Sequence, residues 1–269
     1  GGSGPAALLL HGFPQTHAMW HAVAPKLAQH YTVVASDLRG YGASSKPQGT
    51  APYGFRDMAQ DQLALMRHLG HHSFHLVGHD RGGRVAHRLA LDAPDAPMTM
   101  TVMDIVPTHL LLDEVTTPVA RAYYHWFFLA QPYPFPETLI GHDPDHFFES
   151  CLLGWGAAKL EDFAPEALDA YRSAWRDPDT IRGMCADYRA ALDVDFGLDA
   201  VDLKLKVKAP GLVLYGADGA MAKAYDVPAT WSDRFETMQQ GAIAGGHFFI
   251  DQSPDETSRA LLGFLQQYH

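Results

Sequence analysis

The sequence predicts an α/β fold: a mostly parallel sheet flanked by helices, with an inserted helical cap. Three observations carry that prediction. Short apolar segments at 6–10, 31–36, 73–77 and 98–106 alternate with stretches of helical apolar period, as strands joined by crossover helices do. From about 108 to 208 the alternation stops, and the chain becomes helical, aromatic and Pro-punctuated. It resumes with an apolar segment at 211–215, another near 235–243, and an amphipathic stretch at 254–267. The core is therefore expected at 1–107 and 209–269, and the cap at 108–208.

Taken in order, Gly1-Gly2-Ser3-Gly4-Pro5 is a turn signal ahead of strand 6–10, which ends at His11-Gly12-Phe13-Pro14. Across 16–29, Met19, Trp20, Val23 and Leu27 fall on helical spacing, with Thr16 as the N-cap. Strand 31–36 opens into a Gly- and Ser-rich loop at 37–47, and 56–69 again has helical period. Strand 73–77 runs into Gly78-His79-Asp80-Arg81-Gly82, and 82–91 leaves as a helix closed by Asp92-Ala93-Pro94.

Composition bounds the partners. With 269 residues, 47% hydrophobic and 19% charged, the chain can bury one large core. No run approaches the roughly 18 apolar residues of a membrane span, so no membrane partner is expected. A formal charge of -11 with no Lys/Arg stripe argues against nucleic acid. Cys151 and Cys185 do not make a disulfide framework, which points to a reducing, cytoplasmic setting. The histidines do not fall into metal-ligand spacing, so neither a metal nor another cofactor is expected.

The chemistry starts at Asp80. A G-x-nucleophile-x-G elbow pushes its central side chain out of a strained strand-to-helix turn, and here that side chain is a carboxylate. An ionised carboxylate in a dry site can attack a carbon bearing a leaving group and form an alkyl ester. Hydrolysing the ester needs a base, and Gly245-Gly246-His247 supplies His247 late in the chain, the hydrolase order. Taken alone, Asp80 is an ordinary helix cap and His247 one of 16 histidines. Taken with the glycines, the preceding strand and each other, the catalytic reading is the stronger.

A third residue must orient the imidazole. Asp104, after the run 98–103, and Asp218, after 211–215, both qualify, because strand ends on one edge of an open parallel sheet surround one crevice. Spacing does not choose between them. Arg81 and Arg84 share a helix face near its N-terminus, and guanidinium forks match carboxylates, so an anionic substrate is expected. A surface ion pair, the ordinary alternative, weighs more for Arg84 than for Arg81. The backbone N–H groups of Phe13 and Arg81 are placed to serve a developing oxyanion. In the cap, Tyr123, Phe127 and Phe128 are expected to pack, whereas His125, Trp126 and the Tyr188 hydroxyl are donors suited to a leaving halide.

These residues together resemble the fluoroacetate dehalogenases of the α/β-hydrolase superfamily. The resemblance spans nearly the whole chain, through His11-Gly12-Phe13-Pro14-Gln15-Thr16-His17, Gly78-His79-Asp80-Arg81-Gly82 and Asp104-Ile105-Val106-Pro107-Thr108. It continues in Tyr124-His125-Trp126, Asp187-Tyr188-Arg189 and Gly246-His247-Phe248. It implies an α/β-hydrolase fold and a small haloacid substrate. Asp80 would displace halide from the carbon alpha to the substrate carboxylate, and His247 would activate water against the ester to release glycolate. Asp104 would support His247, Arg81 and Arg84 would hold the carboxylate, and His125, Trp126 and Tyr188 would take up fluoride. Trp155 matches a cap aromatic and is given packing alone. The resemblance also suggests a homodimer.

Two departures stand beside it. Family members carry further residues ahead of the Gly-Gly-Ser-Gly turn, forming the first strands of the sheet, so either the sheet lacks an edge hairpin or the sequence is a truncated or partly ordered piece of a longer chain. Asp218 stands where close relatives have a small neutral residue. Two other functions remain in view. An epoxide hydrolase uses the same Asp nucleophile with a pair of cap tyrosines, but leaves Arg81 and Arg84 without an anion to hold. A non-catalytic ligand-binding protein on this fold would keep a pocket and lose a catalytic member.

Overall fold

The computed structural model describes residues 1–113, 115–155 and 158–268. Six parallel strands form one sheet in the order β2-β1-β3-β4-β5-β6. They are β1 Ala6–Leu10, β2 Thr32–Ser36, β3 Phe74–His79, β4 Pro97–Met103, β5 Gly211–Gly216 and β6 Met238–Ile243. Every residue of β1 and β3 is buried, which is why these strands read as unbroken apolar runs rather than alternating ones. The edge strand β6 carries exposed Gln239 and Gln240, which blunt its open side.

The strand order places the site. From β1 the chain steps outward to β2, then crosses back to β3 on the other side of β1. Ligands of open α/β sheets lie beyond the carboxyl ends of the strands at such a reversal. Register pairs Leu10 with Gly78, so the loops that follow β1 and β3 emerge level and touch. The Gly82 N–H donates to the His11 carbonyl at 2.9 Å across that gap.

The expected helix at 16–29 is broken. Thr16 does cap, its Oγ1 accepting from the Ala18 N–H at 3.3 Å, but the turn it starts is a 3-10 segment, His17–Trp20. A separate short helix, Ala24–Leu27, follows with Pro25 in its first turn, where a missing N–H costs least. Met19, Trp20, Val23 and Leu27 are buried all the same, so the apolar spacing reported burial and not helix continuity. Strand 98–106 also ends early, at Met103, because Asp104 takes a positive φ of 52°.

Between β4 and β5 the described residues form helices and loops. The isolated parallel bridge of Val207 with Phe235 returns the chain to the sheet. Helices Tyr124–Leu129 and Pro178–Ala190 bring His125, Trp126 and Tyr188 together, and a π-helical turn at Ala191–Asp195 follows the second of them. No helix among the described residues is long and apolar enough to cross a membrane.

Candidate active site

Asp80 sits between β3 and the helix Arg81–Asp92 with φ 47° and ψ -115°. Few non-glycine residues tolerate that conformation, and the strain it stores is held by the packing around it. The turn is tight enough that a side chain at Gly78 would strike the backbone of Gly82, and one at Gly82 would come within 2.5 Å of the His11 and Leu10 carbonyls. Gly12 leaves the space that the Asp80 side chain fills, since a Cβ there would lie 2.5 Å from Asp80 Cβ. The elbow glycines are therefore matters of clearance.

The Phe13 N–H donates to Asp80 Oδ1 at 2.9 Å. Asp80 Oδ2 lies 3.9 Å from His247 Nε2. His247 Nδ1 meets Asp104 Oδ2 at 2.7 Å, and Asp104 Oδ1 accepts from the Gly216 N–H at 2.9 Å. Asp104 is wholly buried, whereas Asp218 is exposed on its loop. Geometry thus brings Asp104, and not Asp218, to the imidazole.

Charge follows this arrangement. Burial favours the neutral form of Asp80, but His247, His79, Arg81 and Arg84 outweigh it and hold the carboxyl down at about 2. Burial pulls the His247 imidazole down, yet the hydrogen bond and charge of Asp104 and the charge of Asp80 leave it raised. His125 goes the other way: burial dominates and drives it well below the ordinary value, so its ring is neutral.

The two arginines differ in a way that reverses the expected ion-pair weighting. Arg81, completely buried, donates from Nε to Asp187 Oδ2 at 2.9 Å, and its Nη2 bonds Asp187 Oδ1. Its Nη1 is buried without a protein partner. Arg84 forms no ion pair among the described residues; its Nη1 donates to the Val106 carbonyl at 3.1 Å and to Thr108 Oγ1 at 3.0 Å. Arg84 is thus the cation beside Asp80 that no carboxylate already neutralises, and burial lowers its pKa to about 10.

Aromatic side chains of the helices Tyr124–Leu129 and Pro178–Ala190 pack against these groups. The Trp126 ring lies 4.9 Å from the Arg81 guanidinium and 4.8 Å from that of Arg84, and the Tyr188 ring lies 4.3 Å from Arg81. Tyr188 packs edge-on against Phe13, His125 and Trp126 at 5.1, 5.4 and 5.1 Å. The Tyr188 hydroxyl and His125 Nδ1 are buried without protein partners, as is His247 Nε2. Buried polar atoms are seldom left unpaired, so this cluster is shaped for a ligand with acceptors. Trp155 lies 4.2 Å from His125 and 5.5 Å from His247, with its Nε1–H spent on the Ala122 carbonyl at 2.9 Å.

Two participants escaped the sequence reading. Asp187 was visible only as part of a motif, and its task is to neutralise Arg81, helped by the Tyr41 hydroxyl, which donates to it at 2.7 Å. His79, between Gly78 and Asp80, has Nε2 2.9 Å from the His247 carbonyl. A carbonyl can only accept, so Nε2 bears the proton and ties the late loop to β3. Burial and the neighbouring His247 lower His79 to about 4. Polarity at a strand end with no turn function was the available signal. The Tyr123 hydroxyl, expected only to pack, is also buried and unpartnered. Among the described residues no three His, Cys, Asp or Glu side chains gather as a metal site.

Comparison with known proteins gives the family. The α/β hydrolase fold family matches residues 5–254. A fluoroacetate dehalogenase from Burkholderia sp is 55% identical over 98% of this chain and 88% of its own. A soluble epoxide hydrolase from Corynebacterium sp. (strain C12) is 31% identical over 98% of this chain and 91% of its own. A crystal structure from Nostoc sp PCC 7120, of a protein provisionally named an α/β hydrolase, superposes with a TM-score of 0.96 at 47% identity. That superposition covers 98% of this chain and 91% of the Nostoc one.

Proposed function

The chain belongs to the α/β-hydrolase family as a homologue of fluoroacetate dehalogenase, and from that premise we propose that it hydrolyses the carbon–halogen bond of small haloacetates, fluoroacetate included, through an aspartyl ester. The carrying observation is the pair of buried guanidiniums beside a carboxylate nucleophile, one of them uncompensated. A neutral epoxide or haloalkane has no anion to set against Arg84.

On this reading the two oxygens of Asp80 have different tasks. Oδ1 is held by the Phe13 N–H, which leaves Oδ2 to attack the carbon alpha to the substrate carboxylate. The C–F bond breaks as the Oδ2–C bond forms, and fluoride leaves toward the donors of His125, Trp126 and Tyr188. Water deprotonated by His247 then adds to Asp80 Cγ. Oδ1 becomes the oxyanion at the Phe13 N–H, with the Arg81 N–H as the second proposed donor. Collapse releases glycolate and restores the carboxylate, the proton remaining on His247. Ester formation also removes the Asp80 charge, one of the influences that raise His247, which shifts the imidazole toward the free base when a base is required. Asp104 orients it throughout.

The proposal includes residues 108–208 as a cap domain that excludes water, which fluoride displacement needs. It also includes a homodimer in the cytoplasm acting without nucleic acid. Exposed Tyr133, Phe135 and Leu139 on the cap would suit a subunit contact, and two buried free cysteines suit a reducing compartment. Light scattering measures the first of these.

One observation favours a second reading. Tyr123 and Tyr188 present two buried, unpartnered hydroxyls, as an epoxide-opening site would. Halide release from fluoro-, chloro- and bromoacetate, read at an ion-selective electrode beside styrene oxide turnover, separates the two. Fluoride release without diol formation supports the dehalogenase. Diol formation without halide release would give the assignment to the epoxide hydrolase.

A further inference from the structure

We propose that Arg84, His87, Arg88 and Asp195 enclose a site for one water molecule that holds the Arg84 guanidinium in the pose receiving the substrate carboxylate. Asp195 and His87 are then positioning residues, acting through Arg84. The inference deepens the haloacid reading above and, in its functional part, rests on it.

A cavity of about 20 Å³ lies on the helix Arg81–Asp92, bounded by Phe55, Thr108, Leu198, Asp199 and the four residues just named. The Asp199 carboxylate is already engaged, Oδ2 accepting from the His109 N–H at 2.8 Å and Oδ1 pairing with Arg234 at 3.5 Å. One water needs roughly 10–15 Å³ on this measure, and two to four polar partners. Four buried atoms of these lining residues have no protein partner: Arg84 Nε, Arg88 Nε, His87 Nε2 and Asp195 Oδ2. The other polar atoms of the same groups are largely engaged. Arg88 Nη1 bonds Asp202 at 2.6 Å, and its Nη2 bonds Asp92. Asp195 Oδ1 accepts from the Phe55 N–H at 2.9 Å. Arg84 Nη1 is held by Val106 and Thr108.

The orphans are two donors and two acceptors. The guanidinium Nε atoms carry hydrogens that water can accept. Burial holds His87 neutral at about 4, so Nε2 can offer a lone pair. Asp195, raised by burial to about 7, offers another from Oδ2 once ionised, so the site is read above that pH, at about pH 8 or higher. A water accepting twice and donating twice satisfies all four. A halide would meet the lone pairs of His87 and the Asp195 carboxyl, which repel it. With Nε and Nη1 fixed, the plane of Arg84 is set, and Nη2, which makes no hydrogen bond among the described residues, is left for the substrate.

High-resolution crystallography of the intact protein, alone and as Asp195→Asn, tests this, with fluoroacetate kinetics on both. Asn keeps the Oδ1 acceptor for Phe55 but presents a third donor to the cavity. The expected result is one water within hydrogen-bond distance of the four atoms in the parent protein, displaced or lost in the variant. KM for fluoroacetate should rise roughly tenfold while kcat stays within about twofold. His87→Phe, which removes the other acceptor, should move KM the same way, and thermal unfolding checks that both variants fold. An empty cavity, a halide in it, or an unchanged KM in both variants overturns the proposal. Should the parent protein release no halide from any haloacetate, the dehalogenase reading fails by itself. Crystallography then still decides the water, and calorimetric binding of glycolate replaces KM.

Discussion

His247 makes contacts of different kinds: the Asp104 carboxylate at Nδ1, the His79 imidazole at its carbonyl, and the Trp155 ring set perpendicular to its own. If it activates water, His247→Asn should stop the reaction at the ester, seen as a mass increase on intact protein after incubation with fluoroacetate, while Asp80→Asn shows none. Asp104→Ala should lower kcat by roughly a thousandfold, the scale of losing an imidazole's orienting acid, and the exposed Asp218→Ala by less than about twofold. The reverse ranking would move the acid to Asp218. At the other end of the pocket, Tyr188 carries a hydroxyl with nothing in the protein to bond. Removing a donor matters most where the leaving group is poorest. Tyr188→Phe should therefore cost fluoroacetate turnover roughly a hundredfold and bromoacetate less than about threefold. Equal losses on both would take the halide role from Tyr188.

At the scale of elements, the helix Arg81–Asp92 concentrates the cost of the site. Its first turn buries two guanidiniums, and Arg81 tolerates total burial because the helix Pro178–Ala190 supplies Asp187. Breaking a buried pair strands the remaining charge, so Asp187→Ala should lower stability by about 3–5 kcal/mol in chemical denaturation. A loss near zero would mean that water reaches Arg81. The same ion pair spans 106 positions, joining the residue after Asp80 to the helix Pro178–Ala190. A partly denatured protein that loses that helix should therefore lose the elbow geometry with it.

Over the whole molecule, buried carboxyls make stability depend on pH. Burial raises Asp251, against its hydrogen bond from Gln15, and Asp195, against that from Phe55, each from 3.8 to about 7. A raised folded-state value means that the native protein keeps protons the unfolded chain has released. The stabilisation is fully present below 3.8 and is lost as pH rises through about 7. His247, raised as well, adds the same sign. The buried His11, His79, His87 and His125 are lowered from 6.5 and carry the opposite sign, so their contribution grows with pH until that value is passed. Melting temperature should therefore fall only above about pH 6.5, through the carboxyl range near 7, and Asp251→Asn should flatten that fall. An unchanged slope would show that Asp251 is ionised throughout.

Much of this was legible in the chain because it depends on local pattern. Apolar runs separated by helical period are what a doubly covered parallel sheet requires, and an acid between close-set glycines after a strand is what an elbow requires. Asp80, His247 and Phe13 could thus be named as candidates from spacing. The helix at 16–29 could not be judged, since burial and helix continuity leave the same apolar trace and only Pro25 in its place breaks the run. Whether Asp104 or Asp218 meets the imidazole, that Asp187 takes Arg81 and so leaves Arg84 as the free cation, and that His79 secures the late loop are pairings between residues 29 to 168 positions apart. Local sequence determines which chemical groups are present and which strand end presents them. Which charge is neutralised by which partner is settled only when burial removes water as the competing partner, and that happens in the folded molecule.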